Sequence, residues 1–365
     1  MKRFFKKLHL WLSLPAGIFV IILCATGAIL TFQTELQRII DPHYYYADMP
    51  EGKTPLSLEQ LTETARQEAS QKKQIISSLT VYADPERNYE FGAEGKKGVF
   101  LTVNPYTAEV AGKETPGGSF FSTVRSLHRW LLTSGDARTV GRTIIGISSL
   151  FFAFILISGA VIAFPKKRSQ WKQMLSIKKG KNSHVWWFTS HRALGWYCVI
   201  FLLLMALTGP MWSFGWYRSG METALGIKAA QEKPAADEHY AKEDVGVSTE
   251  AWTNALAEIK QLVPDYVSVS LKERSASVKT AEHHWRASDT YYFDQNGHIA
   301  SVEKYADMPA GSKVMGYAYI IHTGTWGGWI TKLLYLAACM GGIFLTVSGY
   351  WLYIRRISGK SRNSR

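Results

Sequence analysis

HRALGWYCVIFLLLMALTG, residues 191–209, opens on a histidine and an arginine, runs apolar, and closes on a Thr-Gly pair. HLWLSLPAGIFVIILCATG, residues 9–27, has the same plan, and in both stretches the histidine precedes the threonine by seventeen positions. At about 1.5 Å rise per residue that interval is roughly 25 Å, close to the depth of a bilayer's hydrocarbon core. Each helix therefore carries an imidazole near one membrane face and a Thr-Gly pair near the other.

Outward from these two stretches, the 365-residue chain gathers its apolar residues into four blocks free of Asp, Glu, Lys and Arg: 8–33, 143–165, 193–217 and 333–354. Each is long enough to span a membrane and has aromatic residues near its ends, as interfacial anchors do. The net charge of +13 has a specific address, because residues 1–8, 166–183 and 355–365 hold sixteen Lys/Arg and no acid. The remainder has 26 Lys/Arg against 29 Asp/Glu, a net of −3. This distribution is a topology signal that puts both termini and the short central loop in the cytoplasm, and it removes the case for nucleic-acid binding. The first apolar run is too long for a cleavable signal peptide and reads as an uncleaved span. Cys24, Cys198 and Cys339 all lie inside spans, so the outer loops have neither a disulfide frame nor a thiolate metal site.

Two polar regions remain outside, 34–136 and 218–327. In the first, SLEQLTETARQEAS (57–70) reads as a capped helix, followed by strands in ISSLTVYA, NYEFGAE and KGVFLTVNPYTAEVAG. In the second, STEAWTNALAEIKQLVP (248–264) is the helix, and YVSVSLKE, ASVKTAEHHWRAS and TYYFDQNGHIASVEKY are the strands. Asn104-Pro105-Tyr106-Thr107 and Asp294-Gln295-Asn296-Gly297 occupy matching hairpin turns. The chain thus reads as an α-helical membrane bundle of four transmembrane helices plus two α+β outer domains, an internal duplication of span, domain, span. The expected boundaries are 8–33 for the first span, 34–136 for the first outer domain with its pre-helix segment, and 137–165 for the second span. They continue with a cytoplasmic loop at 166–183, a third span at 184–217, a second outer domain at 218–327, a fourth span at 328–354 and a tail at 355–365.

Helices 1 and 3 leave the cytoplasm, so His9 and His191 lie at the inner face and Thr26-Gly27 and Thr208-Gly209 at the outer. Helices 2 and 4 return, which places His128 (in SLHRW) and His322 (in YIIHTGTW) outside and Ser158-Gly159 and Ser348-Gly349 inside. Two imidazoles on facing helices suit a six-coordinate haem iron, and glycine on the neighbouring helices leaves space for a flat macrocycle. Zinc or copper fits less well, because the spans offer no carboxylate or thiolate shell. A single histidine at a helix end is most often an interfacial residue, and hydroxyl-Gly pairs also serve plain helix packing. Four histidines at duplicated positions favour the functional reading.

Two features complicate it. His184 lies seven residues before His191 on the same helical face, about 10 Å lower, and is an alternative ligand. His128 and His322 precede their Ser-Gly pairs by 30 and 26 residues, too far for one straight span; TSGD (133–136) and GTWGG (324–328) supply breaks. Arg129 and Arg142 are candidate partners for haem propionates, equally readable as lipid-headgroup anchors. His43, His239, His283, His284 and His298 read as surface residues of the polar regions, with His283 and His284 neighbours in a strand. The Trp and Tyr residues at 212, 216, 217, 326 and 329 read as an aromatic belt.

The His-x-x-Leu pattern with a later Thr-Gly, the SLHRW and IIHTG segments, and the helix-plus-hairpin unit with VNPYTAEV resemble the PepSY-associated transmembrane family over nearly the whole chain. NPYTAEV departs from the family's Asp-Pro-Tyr-Thr-Gly turn at Asn104 and Ala108, and FDQNGHI departs further. The resemblance implies a bacterial inner-membrane protein with paired periplasmic PepSY domains, some relatives being haem-containing ferric-siderophore reductases and others iron-uptake factors. Carried over, the haem ligands are His9 with His191 and His128 with His322.

The function expected from these readings is a conduit of two haems b that reduces a periplasmic ferric siderophore or other ferric chelate and releases Fe(II). No side chain acts as acid or base, since the haem edge is the reductant. The cytoplasmic segments are too short for a nucleotide-binding domain and lack a Gly-rich fingerprint, so electrons come from quinol or a separate flavoprotein. The rival expectations are a non-enzymatic PepSY module that binds a peptide or protease, and a transporter of haem or chelated iron.

Overall fold

The computed structural model describes residues 2–95, 98–179, 182–227, 248–284 and 286–362. Its helices, in chain order, are α1 Lys2–Thr31, α2 Gln33–Ile40, α3 Pro42–Tyr45, α4 Leu58–Gln71, α5 Gly118–Trp130 and α6 Ala137–Ala163. They continue with α7 Trp171–Met174, α8 Ser183–Thr208, α9 Gly215–Ala224, α10 Thr249–Leu262, α11 Ala310–Thr323 and α12 Gly328–Arg362. The strands are β1 Ile76–Tyr82, β2 Tyr89–Ala93, β3 Leu101–Val103, β4 Val110–Gly112, β5 Tyr266–Leu271, β6 Ser275–Thr280, β7 Asp289–Phe293 and β8 Ile299–Glu303. The chain divides into two compact units, one of residues 1–33, 119–227 and 317–365, the other of 34–118 and 228–316.

The first unit is a bundle of α1, α6, α8 and α12, and four helices long and apolar enough to cross a membrane lie in it. Its core holds Val20, Cys24, Ala153, Leu156, Cys198, Leu202, Ala206, Ala338 and Cys339. Small residues let the helices close up. The Tyr350 hydroxyl donates to the Leu14 carbonyl at 2.7 Å, across ground that a side chain at Gly17 would occupy, and the Cys24 sulfur fills the space beside Gly342. Lys2 reaches the carbonyls of Ile162 and Phe164, and Arg355 reaches Ser183 at 2.8 Å, so both chain termini and the α6–α8 connection share one end of the bundle.

The third span ends earlier than the charge-free run suggests. Pro210 has no N–H to return to Ala206; that carbonyl is taken instead by the Ser149 hydroxyl at 3.0 Å, and α8 passes into a 3₁₀ turn at Gly209–Trp212. α12 runs on to Arg362, beyond the expected end at 354. α5 and α11 stand apart from the return helices. Leu131 and Leu132 at φ 55° and 60° end α5, and Gly324 and Gly328 at φ 71° and 63° break the chain between α11 and α12.

In the second unit all eight strands form one antiparallel sheet, ordered β4-β3-β2-β1-β5-β6-β7-β8. The join is β1 with β5, where Leu79 faces Leu271, Thr80 faces Ser270, Val81 faces Val269 and Tyr82 faces Ser268. The period-two alternation of these strands sends Leu79, Val81, Val269 and Leu271 into a single core, while Thr80 and Ser270 bond each other at 2.9 Å on the opposite side. α4 and α10 cover that core with Leu61, Ala65, Trp252 and Ile259, and each starts at a serine cap, Ser57 or Ser248. The turn 104–109 holds Ala108 at φ 58°, the place where the family pattern has glycine; the matching turn has Gly297 at φ 90°.

Two expectations for this unit are corrected. The two outer domains expected at 34–136 and 218–327 form one unit with one sheet and one core, because β1 pairs with β5. His283 and His284 follow the end of β6 and lie in a turn, not a strand, because the His283 ring accepts the Thr280 N–H at 3.0 Å and closes the chain on itself. His283 also meets Asp289 at 3.2 Å, and His284 meets the Tyr305 hydroxyl at 2.9 Å. His43 and His298 are exposed, and His239 lies outside the described residues.

Candidate functional site

Four histidines enter the bundle in two pairs. At the end that holds the termini, His9 on α1 and His191 on α8 have ring centroids 6.4 Å apart and planes at 87°. At the opposite end, His128 on α5 and His322 on α11 have centroids 6.1 Å apart and planes at 65°. All four residues are half-buried.

Each imidazole is held by the same arrangement. Nδ1 of His9 lies 3.1 Å from the Ser158 hydroxyl and 2.9 Å from the Ile155 carbonyl. A carbonyl only accepts, so Nδ1 carries the proton. Ser158 spends its own hydroxyl proton on Ile155 at 2.9 Å, which leaves its oxygen free to accept from the ring. His191 repeats this with Ser348 at 2.8 Å, whose hydroxyl donates to Leu345. His128 meets Thr26 at 2.7 Å and His322 meets Thr208 at 2.9 Å, and these threonines donate to the carbonyls of Ile22 and Leu204. With Nδ1 committed as a donor four times over, every ring presents an Nε2 lone pair that bonds nothing among the described residues.

The glycine after each hydroxyl residue borders the ring, closely enough at Gly159 alone for a side chain to crowd it. A Cβ placed on Gly159 would sit 3.1 Å from Cε1 of His9; on Gly349, 3.6 Å from that of His191. On Gly27 and Gly209 it would sit 3.6 and 3.5 Å from Cε1 of His128 and His322. At Gly27, Gly159 and Gly349 the nearest atom belongs to an imidazole, and at Gly209 the Ser149 hydroxyl at 3.1 Å comes before the His322 ring. Trp212 packs on His322 with centroids 5.3 Å apart.

The remaining sequence candidates lie elsewhere. His184 is exposed, stacks parallel to Phe188 at 6.4 Å and lies beside Trp351, while His191 turns inward. Arg129 lies over the Trp130 ring at 5.0 Å, and Arg142 is exposed one turn beyond Arg138 on α6. Sequence reasoning missed the hydroxyls of Thr26, Ser158, Thr208 and Ser348 as ring acceptors. Their fixed position before glycine was the available signal.

Among the described residues no three His, Cys, Asp or Glu converge as a small-ion shell would need. Two imidazoles alone suit a metal whose other ligands arrive with it, as in haem. Two rings sharing one metal through bonds of about 2 Å have centroids about 6 Å apart, so the donor sets fit a bis-imidazole iron at both ends. The chain matches no curated protein. Residues 6–356 match the family described as the PepSY-associated TM region, and this membrane protein belongs to that family.

Proposed function

We propose that the protein is a di-haem electron conduit of the bacterial inner membrane that reduces a ferric siderophore or other ferric chelate outside and releases Fe(II). The observation that carries this reading is the twofold occurrence of one ligand design: imidazole pairs 6.1 and 6.4 Å apart, every Nδ1 bonded to a hydroxyl and no Nε2 bonded among the described residues. Haem b bound there supplies a one-electron carrier tuned by its axial imidazoles. The protein's own part is positional. Ser158, Ser348, Thr26 and Thr208 set each ring's tautomer and orientation and raise the basicity of Nε2.

The recurrence of the same hydrogen bonds supports this reading. The bond from His9 to Ser158 corresponds to that from His191 to Ser348, and His128 with Thr26 corresponds to His322 with Thr208. His9 and His191 share the end with the Lys/Arg-rich segments, which the positive-inside rule assigns to the cytoplasm. His128 and His322 then face the periplasm, and electrons enter from quinol or a flavoprotein. Reduction frees iron because oxygen ligands hold Fe(III) far more tightly than Fe(II).

Visible absorption of the purified protein tests the cofactor: a Soret band and a reduction-sensitive α band are expected. Their absence overturns the proposal and leaves the non-enzymatic PepSY module. Dithionite-reduced protein should be reoxidised by added ferric siderophore; an unchanged spectrum removes the reductase assignment.

A further inference from the structure

At the corner where α5 turns into α6, a cavity of about 340 Å³ is lined by Ser122, Ser126, Trp130, Thr133, Ser134 and Arg138. Hydroxyls dominate this wall. The Arg138 guanidinium stacks on the Trp130 ring at 3.8 Å, which leaves its N–H edge for other partners. Arg125, Arg129 and Arg142 surround the corner. Burial first, and then the like charges of Arg138, Arg125 and Arg142, hold the Arg129 guanidinium below the usual pKa. Among the described residues none of these four arginines forms a salt bridge, and Arg125 has only the Gln33 amide oxygen at 2.7 Å. Asp136 is exposed and makes no capping bond at the start of α6.

The corner is built rather than loose. Gly141 lets α6 pass against the Trp130 carbonyl, which also accepts from Thr133, and the left-handed Leu131 and Leu132 complete the turn. Ser126 and Trp130 are four residues apart and share a face of α5, whereas His128 between them points the other way, into the bundle. The cavity and the His128–His322 pair are therefore separated by the thickness of one helix, about 10 Å.

We propose that this cavity docks a polyanionic, oxygen-rich ligand, and that its occupant is the ferric chelate, held by Arg138 and by the hydroxyls of Ser122, Ser126 and Ser134. The identity of the occupant rests on the reductase reading above; the anion chemistry does not. Bidentate guanidinium contacts and hydroxyl donors match the carboxylate and hydroxamate oxygens that carry Fe(III). A lipid phosphate has the same chemistry, so the test separates the two sources.

Gallium(III) citrate, a redox-inert stand-in for the ferric complex, is titrated calorimetrically into the full-length protein in phosphatidylcholine nanodiscs. Saturable binding is expected, weakened about tenfold or more in Arg138→Gln, and undiminished when phosphatidylglycerol replaces part of the lipid. No saturable binding, full binding by the Arg138→Gln variant, or displacement by phosphatidylglycerol overturns the proposal. The Soret band is recorded on the same samples to confirm that the variant is folded and loaded. Protein that binds gallium citrate without any haem defeats the reductase reading and leaves the docking site standing. Haem-loaded protein that fails to bind defeats the docking site alone.

Discussion

The two imidazole pairs reach the same geometry by opposite routes. At the terminal end the histidines belong to the long helices α1 and α8, and the serines that accept from them belong to α6 and α12. At the other end α1 and α8 supply threonines, and the histidines come from α5 and α11, short helices outside the four spans. The first pair is placed by the register of packed spans. The second depends on two chain reversals, one through left-handed leucines and one through glycines. A shared contact can thus rest on rigid packing at one end and on backbone conformation at the other, and the two ends should fail differently.

The most forceful way to break the comparison is to remove one ligand from each end in turn. His191→Ala and His322→Ala should each cost about half of the bound haem by pyridine haemochrome, since an axial imidazole is lost with no neighbour to replace it. His184→Ala should leave the content whole; if it halves the haem instead, the inward turn of His191 is not the ligating one. Gly324→Ala acts on the hinge. Its φ of 71° and a Cβ only 2.7 Å from the Tyr335 ring should destabilise the protein by about 1–3 kcal/mol in thermal unfolding, with haem lost from the His128–His322 end alone. Ser348→Ala should cost less, about 0.5–1.5 kcal/mol, because a single hydrogen bond to the His191 ring is lost. With a less basic Nε2, its site should move to higher midpoint potential in a redox titration. Smallest is Leu132→Gly, which relieves φ 60° at a half-exposed side chain and should stabilise by up to about 1 kcal/mol with the spectrum unaltered.

Much of the bundle was legible because membrane spans announce themselves by length and by the absence of charge. The seventeen-residue interval from His9 to Thr26 and from His191 to Thr208 is a local property of each helix, and it survives in the structure as two ends of one bundle. The serine caps Ser57 and Ser248 were legible for the same reason. The end of α8 was not, since Pro210 acts only where the Ala206 carbonyl finds the Ser149 hydroxyl 57 positions away. Nor was the turn at His283, where a side-chain bond to Thr280 overrides the strand alternation that precedes it. The arginine corner escaped notice because Arg125, Arg129, Arg138 and Arg142 meet through a reversal that no periodicity marks.

By itself the sequence determined the four spans, the helix-and-strand order of the polar regions, and four histidines spaced to fall at the span ends. These follow from hydropathy, charge and helical rise, all of which are counted along the chain. Tertiary structure alone decided which ring nitrogen of each histidine is engaged, that Thr26, Ser158, Thr208 and Ser348 engage it, and that His191 faces His9. It also decided that β1 joins β5 in one sheet with one core. Hydrogen bonds between residues more than a hundred positions apart, such as His9 with Ser158 or His322 with Thr208, exist only once helices pack in a particular register, and that register is a property of all four together.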